Sequence, residues 1–382
     1  MLASQSHLAG LLTVTMSDLT DLSETKSTDG APAHAIGLLV EALSDGLAQT
    51  SGVAPTIVRG PRIVPVADNY DRLYYPSDGE ARSPRYTHYL GQGLMLRTQM
   101  TALIPNALAA IDQTRPEHLL ILPGIVHRRD VVDRTHTGSP HQCDVWRLSS
   151  GPALGRADLI ALVEAIARIL LGYDPELRYN ETSHPYTLGG LEVELHINDA
   201  GGDRWLEILE CGLAHPQLLT DAGLDPARWS GLAVGMGLDR MAMLRKGLDD
   251  IRLLRDQDLR IAAQMRNLAP YVPVSRQPNI KRDLSIVVPA ERSVEDLTET
   301  AMNAAGEQAR LIEALEVVAR YDYNQVPPVA RERLGLGPDQ HNLLVRITLS
   351  DPGRALRRQE ANELYDRLYS VLHEGSAPGY AR

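Results

Sequence analysis

Residues Gly124–Arg147, GIVHRRDVVDRTHTGSPHQCDVWR, set the reading of the whole chain. An apolar run leads into Arg128-Arg129-Asp130. A turn-rich tip follows at Thr137-Gly138-Ser139-Pro140, and His141-Gln142 then opens a second apolar run. That order describes a β-hairpin whose two strands carry fixed polar groups inward. An arginine at the head of such a hairpin suits a phosphate, because its planar fork donates two hydrogen bonds at once.

The bulk numbers bound what the hairpin can belong to. A chain of 382 residues has room for two or three domains, and an apolar fraction of 43% is ordinary for a protein with a real core. The net charge of −11 argues for solubility and gives no support to a broad nucleic-acid-binding face, leaving room for a local basic patch. Cys143 and Cys211 are too few for a disulfide framework and do not stand in zinc-ligand spacing, so a reducing, cytoplasmic setting is expected. No apolar run reaches the roughly 18 residues of a membrane helix. The first thirty residues lack the basic start of a signal peptide and the arginines of a transit peptide, and Met16 is a second candidate start. Phenylalanine is absent although tyrosine and tryptophan are present.

Working outward, residues 1–33 are Ser/Thr/Asp-rich and read as a disordered tail. Residues 34–49 place apolar side chains at helical spacing. Short β-like runs follow at 55–58 and 62–66, and 95–111 reads as helical after a short strand. Residues 119–126 form the strand that enters the hairpin. Asp158–Leu171 is an amphipathic helix with Asp158 as its cap. Strands and turns alternate over 176–212. Gly235-Met236-Gly237-Leu238-Asp239-Arg240 opens a helix running to about Lys246, and a further helix covers 255–268. The proline-rich stretch within 269–278 is the expected linker. Beyond it the pattern is β (281–288), α (293–304), β (315–323), β (342–350), α (357–373). One more short strand would complete a βαββαβ unit.

Three separated segments carry a family resemblance. The hairpin at 124–147, WLEILECGLAHPQLL at 205–219 and GLAVGMGLDRMAMLRKGLDDIRLL at 231–254 together resemble the catalytic domain of the class II phenylalanyl-tRNA synthetases. The segment from Ile280-Lys281-Arg282-Asp283 resembles the ferredoxin-like anticodon-binding domain of the same family. The resemblance implies an α/β (α+β) fold. An antiparallel sheet flanked by helices would span 34–268, followed by a ferredoxin-like domain over 279–382, as monomer or homodimer. It implies amino-acid activation with ATP and Mg²⁺ through an adenylate, followed by transfer to tRNA. Such chemistry needs positioning and charge stabilisation more than covalent help from the protein.

Roles follow residue by residue from the resemblance. Arg128 would grip the α-phosphate and the substrate carboxylate, a surface ion pair with Asp130 or Asp133 being the ordinary alternative. His136 would stand near the triphosphate tail. Arg240 would lie over the adenine, with Gly237 allowing close approach and Pro140 and His141 beside the nucleotide. Glu207 and Glu194 are the magnesium candidates. Gln99, Thr101, Asp130, Gln142, Asp144, His184, Tyr186 and Ala233 would line the amino-acid site. Lys281, Arg282, Arg354, Arg357 and Arg358 could meet tRNA phosphates, or form a solvated face.

The departures from the family pattern gather in the amino-acid pocket. His184-Pro185-Tyr186-Thr187 stands where the family has two phenylalanines around a proline, and Pro140 replaces the hairpin aromatic that stacks on adenine. Glu210 replaces a glycine, on the sheet face opposite Glu207 if the strand alternates regularly. A histidine and a tyrosine bring polar groups that must be satisfied, which favours a substrate more polar than phenylalanine, the ordinary alternative being that His184 and Tyr186 simply keep the pocket aromatic. The lack of phenylalanine extends over the whole chain, as selection for translation under phenylalanine shortage would leave it. Two alternatives to the synthetase reading stand beside it. One is a ligase that passes the activated amino acid to a carrier protein, small molecule or peptide; the other is a non-catalytic regulatory paralogue.

Overall fold

The computed structural model describes residues 17–20, 34–129, 133–199, 202–274, 279–351 and 354–377. The chain divides into two units. The first comprises Met1–Arg128, Ser139–Leu248 and Gln264–Tyr271; the second comprises Arg129–Gly138, Asp249–Ala263 and Val272–Arg382. The crossings are therefore not confined to the proline-rich linker, since the hairpin tip and residues 249–263 also belong to the second unit.

In the first unit, α1 (Ala35–Ser51) buries Ile36, Leu39, Val40, Leu43 and Leu47, the apolar stripe that its spacing predicts. His34 caps it, accepting the Ile36 N–H at 3.2 Å, and Gly52 ends it in the left-handed region at φ 70°. Next come β1 (Pro55–Ile57), β2 (Ile63–Pro65), the single turn α2 (Val66–Asn69), β3 (Tyr89–Gly91) and β4 (Leu94–Leu96). The helix expected over 95–111 is shorter. It becomes a 3₁₀ turn at Met100–Leu103 running into α3 (Ile104–Ala109), because residues up to Leu96 belong to β4 and Gln99 is extended at φ −154°.

The main sheet is built from β5 (Glu117–Ile125), β6 (His141–Ser149), β7 (Leu177–Glu181), β8 (Thr187–Asp199), β9 (Gly202–Ala214) and β10 (Ser230–Gly237), with β1 at one edge. Its order is β1-β5-β6-β10-β9-β8-β7. The β1–β5 pair is parallel and every other pair is antiparallel. Helices α4 (Arg156–Leu171) and α6 (Leu238–Lys246) pack with α1 and with each other. Asp158 does not cap α4 as expected. The helix starts two residues earlier, and Asp158 sits in its first turn, accepting the Gly155 N–H at 2.8 Å. Helix α5 (Pro216–Asp221) follows β9.

In the second unit a 3₁₀ turn at Ile251–Arg255 and α7 (beginning at Leu259 and ending at Gln264) replace the continuous helix expected over 255–268. Then come β11 (Ile280–Pro289), α8 (Val294–Ala305), β12 (Ile312–Asp322), α9 (Pro328–Leu334), β13 (Gln340–Leu349) and α10 (Arg358–Leu372). The strands form an antiparallel sheet in the order β11-β13-β12, over a core that includes Ile286, Leu297, Val345, Ile347, Leu364 and Leu368. Two differences from the sequence pattern stand out. Helix α9 intervenes between β12 and β13, and the extra short strand is not found among the described residues.

Candidate active site

Strand register assembles the site. Residues directly opposite in antiparallel strands share a face. Gln142 pairs with Gly237, Asp144 with Gly235 and Trp146 with Ala233. Across β10, Gly235 pairs with Glu210 and Ala233 with Gly212. Glu210 in turn pairs with Glu192. One face of the sheet therefore carries Gln142, Asp144, Trp146, Ala233 and Glu210, with a column of glycines between them. The opposite face carries Cys143, Val145, Leu209, Cys211 and Val234, all buried.

Glu207 joins that polar face, contrary to simple alternation. Val193 pairs with Leu209 but the next residue, Glu194, pairs with Glu207, leaving Ile208 without a partner. This is a β-bulge, in which two residues oppose one and the alternation is reset. Ile208 and Leu209 are both buried at 2% exposure, so Glu207 and Glu210 turn to the same side. The expectation that Glu210 faces away from Glu207 is corrected by that one extra residue.

Charge is concentrated there. Arg128 donates its Nε to the Thr98 carbonyl at 2.8 Å. Thr98 is itself held by the buried Asn69, which receives the Thr98 N–H at 3.1 Å and donates to Thr98 Oγ1 at 2.8 Å. Arg240 donates to the Glu207 carbonyl at 2.8 Å and lies 3.9 Å from its carboxylate. Burial pushes the Glu207 carboxyl up, Arg240 and Arg128 oppose this, and Glu210 and Glu192 reinforce it. Asp133 is one of the two surface partners expected as the alternative for Arg128. That carboxylate lies 2.9 Å from His136 Nδ1, in the hairpin tip of the second unit. Asp130 lies outside the described residues.

The amino-acid candidates meet around a buried carboxylate. Thr101 Oγ1 donates to Asp144 Oδ2 at 2.7 Å. Burial raises the Asp144 carboxyl to about 6, against the opposing influence of Thr101, Trp146 and Arg128. Tyr186 packs among Trp146 (ring centroids 6.4 Å, stacked), Tyr75 (6.2 Å) and His184 (5.7 Å). His184 Nε2 lies 3.1 Å from Glu210 Oε2, and this pairing holds the Glu210 carboxyl below its ordinary range despite burial. Gln99 is engaged at both ends of its amide: Nε2 donates to the Asn69 carbonyl at 2.9 Å and Oε1 accepts from Tyr75 at 3.2 Å. Asn69, Tyr75 and Trp146 escaped the sequence reading. Only the isolated tryptophan two residues beyond Asp144 on β6 gave a usable signal.

Two expected roles shift. His141 is fully buried, its Nδ1 lies 3.1 Å from Asp239 Oδ1, and its Nε2 accepts the Leu19 N–H at 3.1 Å. With both nitrogens engaged inside the fold, the ring braces β6 rather than facing a nucleotide. Pro140, next to it, accepts the Val126 N–H at 2.9 Å and closes the hairpin base. The Glu194 carboxylate is taken up by Arg178 at 2.5 Å and Asn180 at 2.5 Å, which leaves it poorly suited to a magnesium ion. Glu207 suits one better. Its half-exposed carboxylate sits among like charges, and magnesium needs only one or two carboxylates when phosphates supply the rest. Among the described residues no group of three or more His, Cys, Asp or Glu side chains could hold a metal by itself.

The basic candidates lie in the second unit. Arg354 forks onto Glu360 at 3.0 Å through both terminal nitrogens and lies 3.1 Å from Asp351. Arg282 donates to the Lys281 carbonyl at 2.9 Å. Arg357 caps α10, and Arg358 lines a surface recess with Glu363 and Asp366. From Ser275 onward 14 Arg/Lys stand against 16 Asp/Glu, a net of −2. Among the described residues no helix is long and apolar enough to cross a membrane.

Comparison with known proteins gives this geometry a context. The family model described as tRNA synthetases class II core domain (F) matches residues 24–265. The chain is similar to the phenylalanine–tRNA ligase alpha subunit of Prochlorococcus marinus, with 36% identity over 214 residues, covering 56% of this chain and 61% of that one. The same subunit of Clostridium beijerinckii is 34% identical over 217 residues, covering 55% and 62%. That of Acetivibrio thermocellus is 31% identical over 239 residues, covering 60% and 68%. The chain thus spans about three fifths of the length of the first two relatives.

Proposed function

The chain belongs to the class II synthetase core-domain family in its phenylalanine–tRNA ligase alpha-subunit branch, and from that premise we propose that it joins an amino acid to ATP as an aminoacyl-adenylate and passes it to tRNA. The observation that carries the reading is the meeting of Arg128, Arg240 and Glu207 with Gln142 and Asp144 on one face of one sheet. Activation joins a carboxylate to the α-phosphate and expels pyrophosphate. Arg128 holds the α-phosphate beside the carboxylate and takes up the charge that develops between them. Arg240 stacks its guanidinium on the adenine and reaches the phosphate tail. Magnesium, bound through Glu207, would neutralise phosphate charge. Asp144 and Gln142 hold the substrate ammonium and carboxylate, with Thr101 and Gln99 fixing the pocket wall.

The substrate is an aromatic amino acid more polar than phenylalanine. The His184–Glu210 pair and Tyr186 supply hydrogen-bonding groups to the pocket, and Ala233 leaves room at its floor. A phenyl ring offers those groups no hydrogen bond, whereas a polar substituent on the ring would. The C-terminal unit is read as a ferredoxin-like, anticodon-binding-type domain. A transfer to a carrier or small molecule instead of tRNA is favoured by one feature, the neutralisation of Arg354 within a unit of net negative charge. Pyrophosphate exchange with a panel of amino acids, followed by charging of bulk tRNA, tests the reading. Charged tRNA supports the synthetase, exchange without charging the alternative ligase, and no exchange with any amino acid would refute both.

A further inference from the structure

Residues Ser17–Thr20, within the stretch whose composition reads as a tail, are anchored in the interior of the catalytic unit. Thr20 is fully buried. Arg59 donates to its carbonyl at 2.7 Å and to its hydroxyl at 3.0 Å. Asp18 accepts the Ile125 N–H at 3.2 Å, at the point where β5 ends and the hairpin begins. The same carboxylate lies 4.0 Å from the guanidinium of Arg97, which is only 2% exposed and donates to the carbonyls of Ile125 and Gly60. A side chain at Gly124 would strike that guanidinium, so the strand entering the hairpin is shaped to admit it. A buried arginine satisfied by carbonyls still carries its charge, and Asp18 is the counter-ion set against it.

The contact with consequence is the bond from the Leu19 N–H to His141 Nε2. A nitrogen that accepts an N–H carries no proton, so the proton of a neutral imidazole sits on Nδ1, which faces Asp239. Asp239 also accepts the His141 backbone N–H and stands in the first turn of α6. Arg240 is the next residue. A continuous path of hydrogen bonds thus runs from the strap to the turn that aims Arg240.

We propose that Asp18–Thr20 is a positioning strap of the catalytic unit, which holds the His141 ring against Asp239 and through Asp239 sets the direction of Arg240. Its kinetic test rests on the adenylation reading; a second readout does not. Leu19→Pro in the full chain removes the donated N–H without altering any residue of the site. It should raise the KM for ATP about tenfold, the loss of roughly one hydrogen bond, and leave the KM for the amino acid within about twofold. Thr20→Val, which removes one Arg59 contact at nearly constant shape, should move the same constant in the same direction by less, and it serves if the proline variant does not fold. A strap that only stabilises would lower the amount of active protein and leave both KM values unchanged, which would overturn the proposal. Nitrogen NMR of the His141 ring decides the matter even if no exchange is found. The parent should show an Nδ1–H ring whose Nε2 accepts a hydrogen bond, and Leu19→Pro should shift the Nε2 resonance to that of an acceptor without a donor; an unaltered Nε2 resonance in both variants would overturn it.

Discussion

Thr101 and Asp144 meet side chain to side chain, Oγ1 donating to Oδ2 at 2.7 Å across 43 positions of sequence. The bond joins the 3₁₀ turn after β4 to the centre of β6 and gives a buried carboxylate its neutral partner. The carboxyl is raised to about 6 chiefly by burial, so it becomes fully anionic only near neutrality. An anionic Asp144 is what an ammonium group requires. Amino-acid kcat/KM in the exchange reaction should therefore fall as pH drops through 6, and Asp144→Asn should abolish that limb together with most of the activity. A profile flat from pH 5 to 8 would contradict the role.

The same shift carries a stability consequence. A carboxyl whose value is raised on folding stabilises the fold below the ordinary carboxylate range, and that contribution is lost as pH rises through about 6. Without substrate, Asp144→Asn should thus raise the thermal midpoint at pH 7.5 relative to the parent and change it little at pH 4. Thermal unfolding at the two pH values measures the difference.

Arg128 is anchored by one nitrogen to the Thr98 carbonyl, leaving a fork whose geometry a lysine cannot reproduce. Arg128→Lys should lower exchange by roughly 10²–10³-fold, the scale of a lost transition-state donor, with little change in melting temperature. Steady-state exchange with circular dichroism as the folding control checks it. A variant within a few-fold of the parent would remove Arg128 from the chemistry.

The bulge at Ile208 offers a sharper test than truncation of a carboxylate. Deleting Ile208 would remove the bulge and leave Glu207 and Glu210 two residues apart, on the same face by regular alternation. Exchange should then be retained within a few-fold, whereas Glu207→Gln should lose most of it. A deletion variant that folds yet loses exchange as fully as Glu207→Gln would contradict the role of the shared face.

The His184–Glu210 pair predicts a specificity switch. His184→Phe with Glu210→Gly should move preference toward phenylalanine by at least about tenfold in kcat/KM, because an apolar wall replaces the polar pair that a substituted ring could hydrogen-bond. Competition between phenylalanine and tyrosine in the exchange assay reads this directly.

Much of this site is legible in the chain. The hairpin strands, the Gly-Met-Gly-Leu-Asp-Arg segment and the helix periods at 34–49, 158–171 and 357–373 are local patterns that form close to where their spacing indicates, whereas the periods at 95–111 and 255–268 give shorter, broken helices. The family resemblance that those patterns carry names Arg128, Asp144, Glu207 and Arg240, since hydrogen-bonding and charge types are carried by residue identity. The sequence by itself determined the kinds of group available and the order of the elements that bring them. It could not determine on which face Glu207 lies, because one unpaired residue in β9 reverses an alternation that otherwise holds along the strand. Nor could it show that Asp18 and Leu19 bind residues 107 and 122 positions away, or that His141 is closed off between Leu19 and Asp239. Those facts belong to the tertiary structure. Register shifts and long-range hydrogen bonds depend on which strands lie side by side, and local spacing carries no record of that.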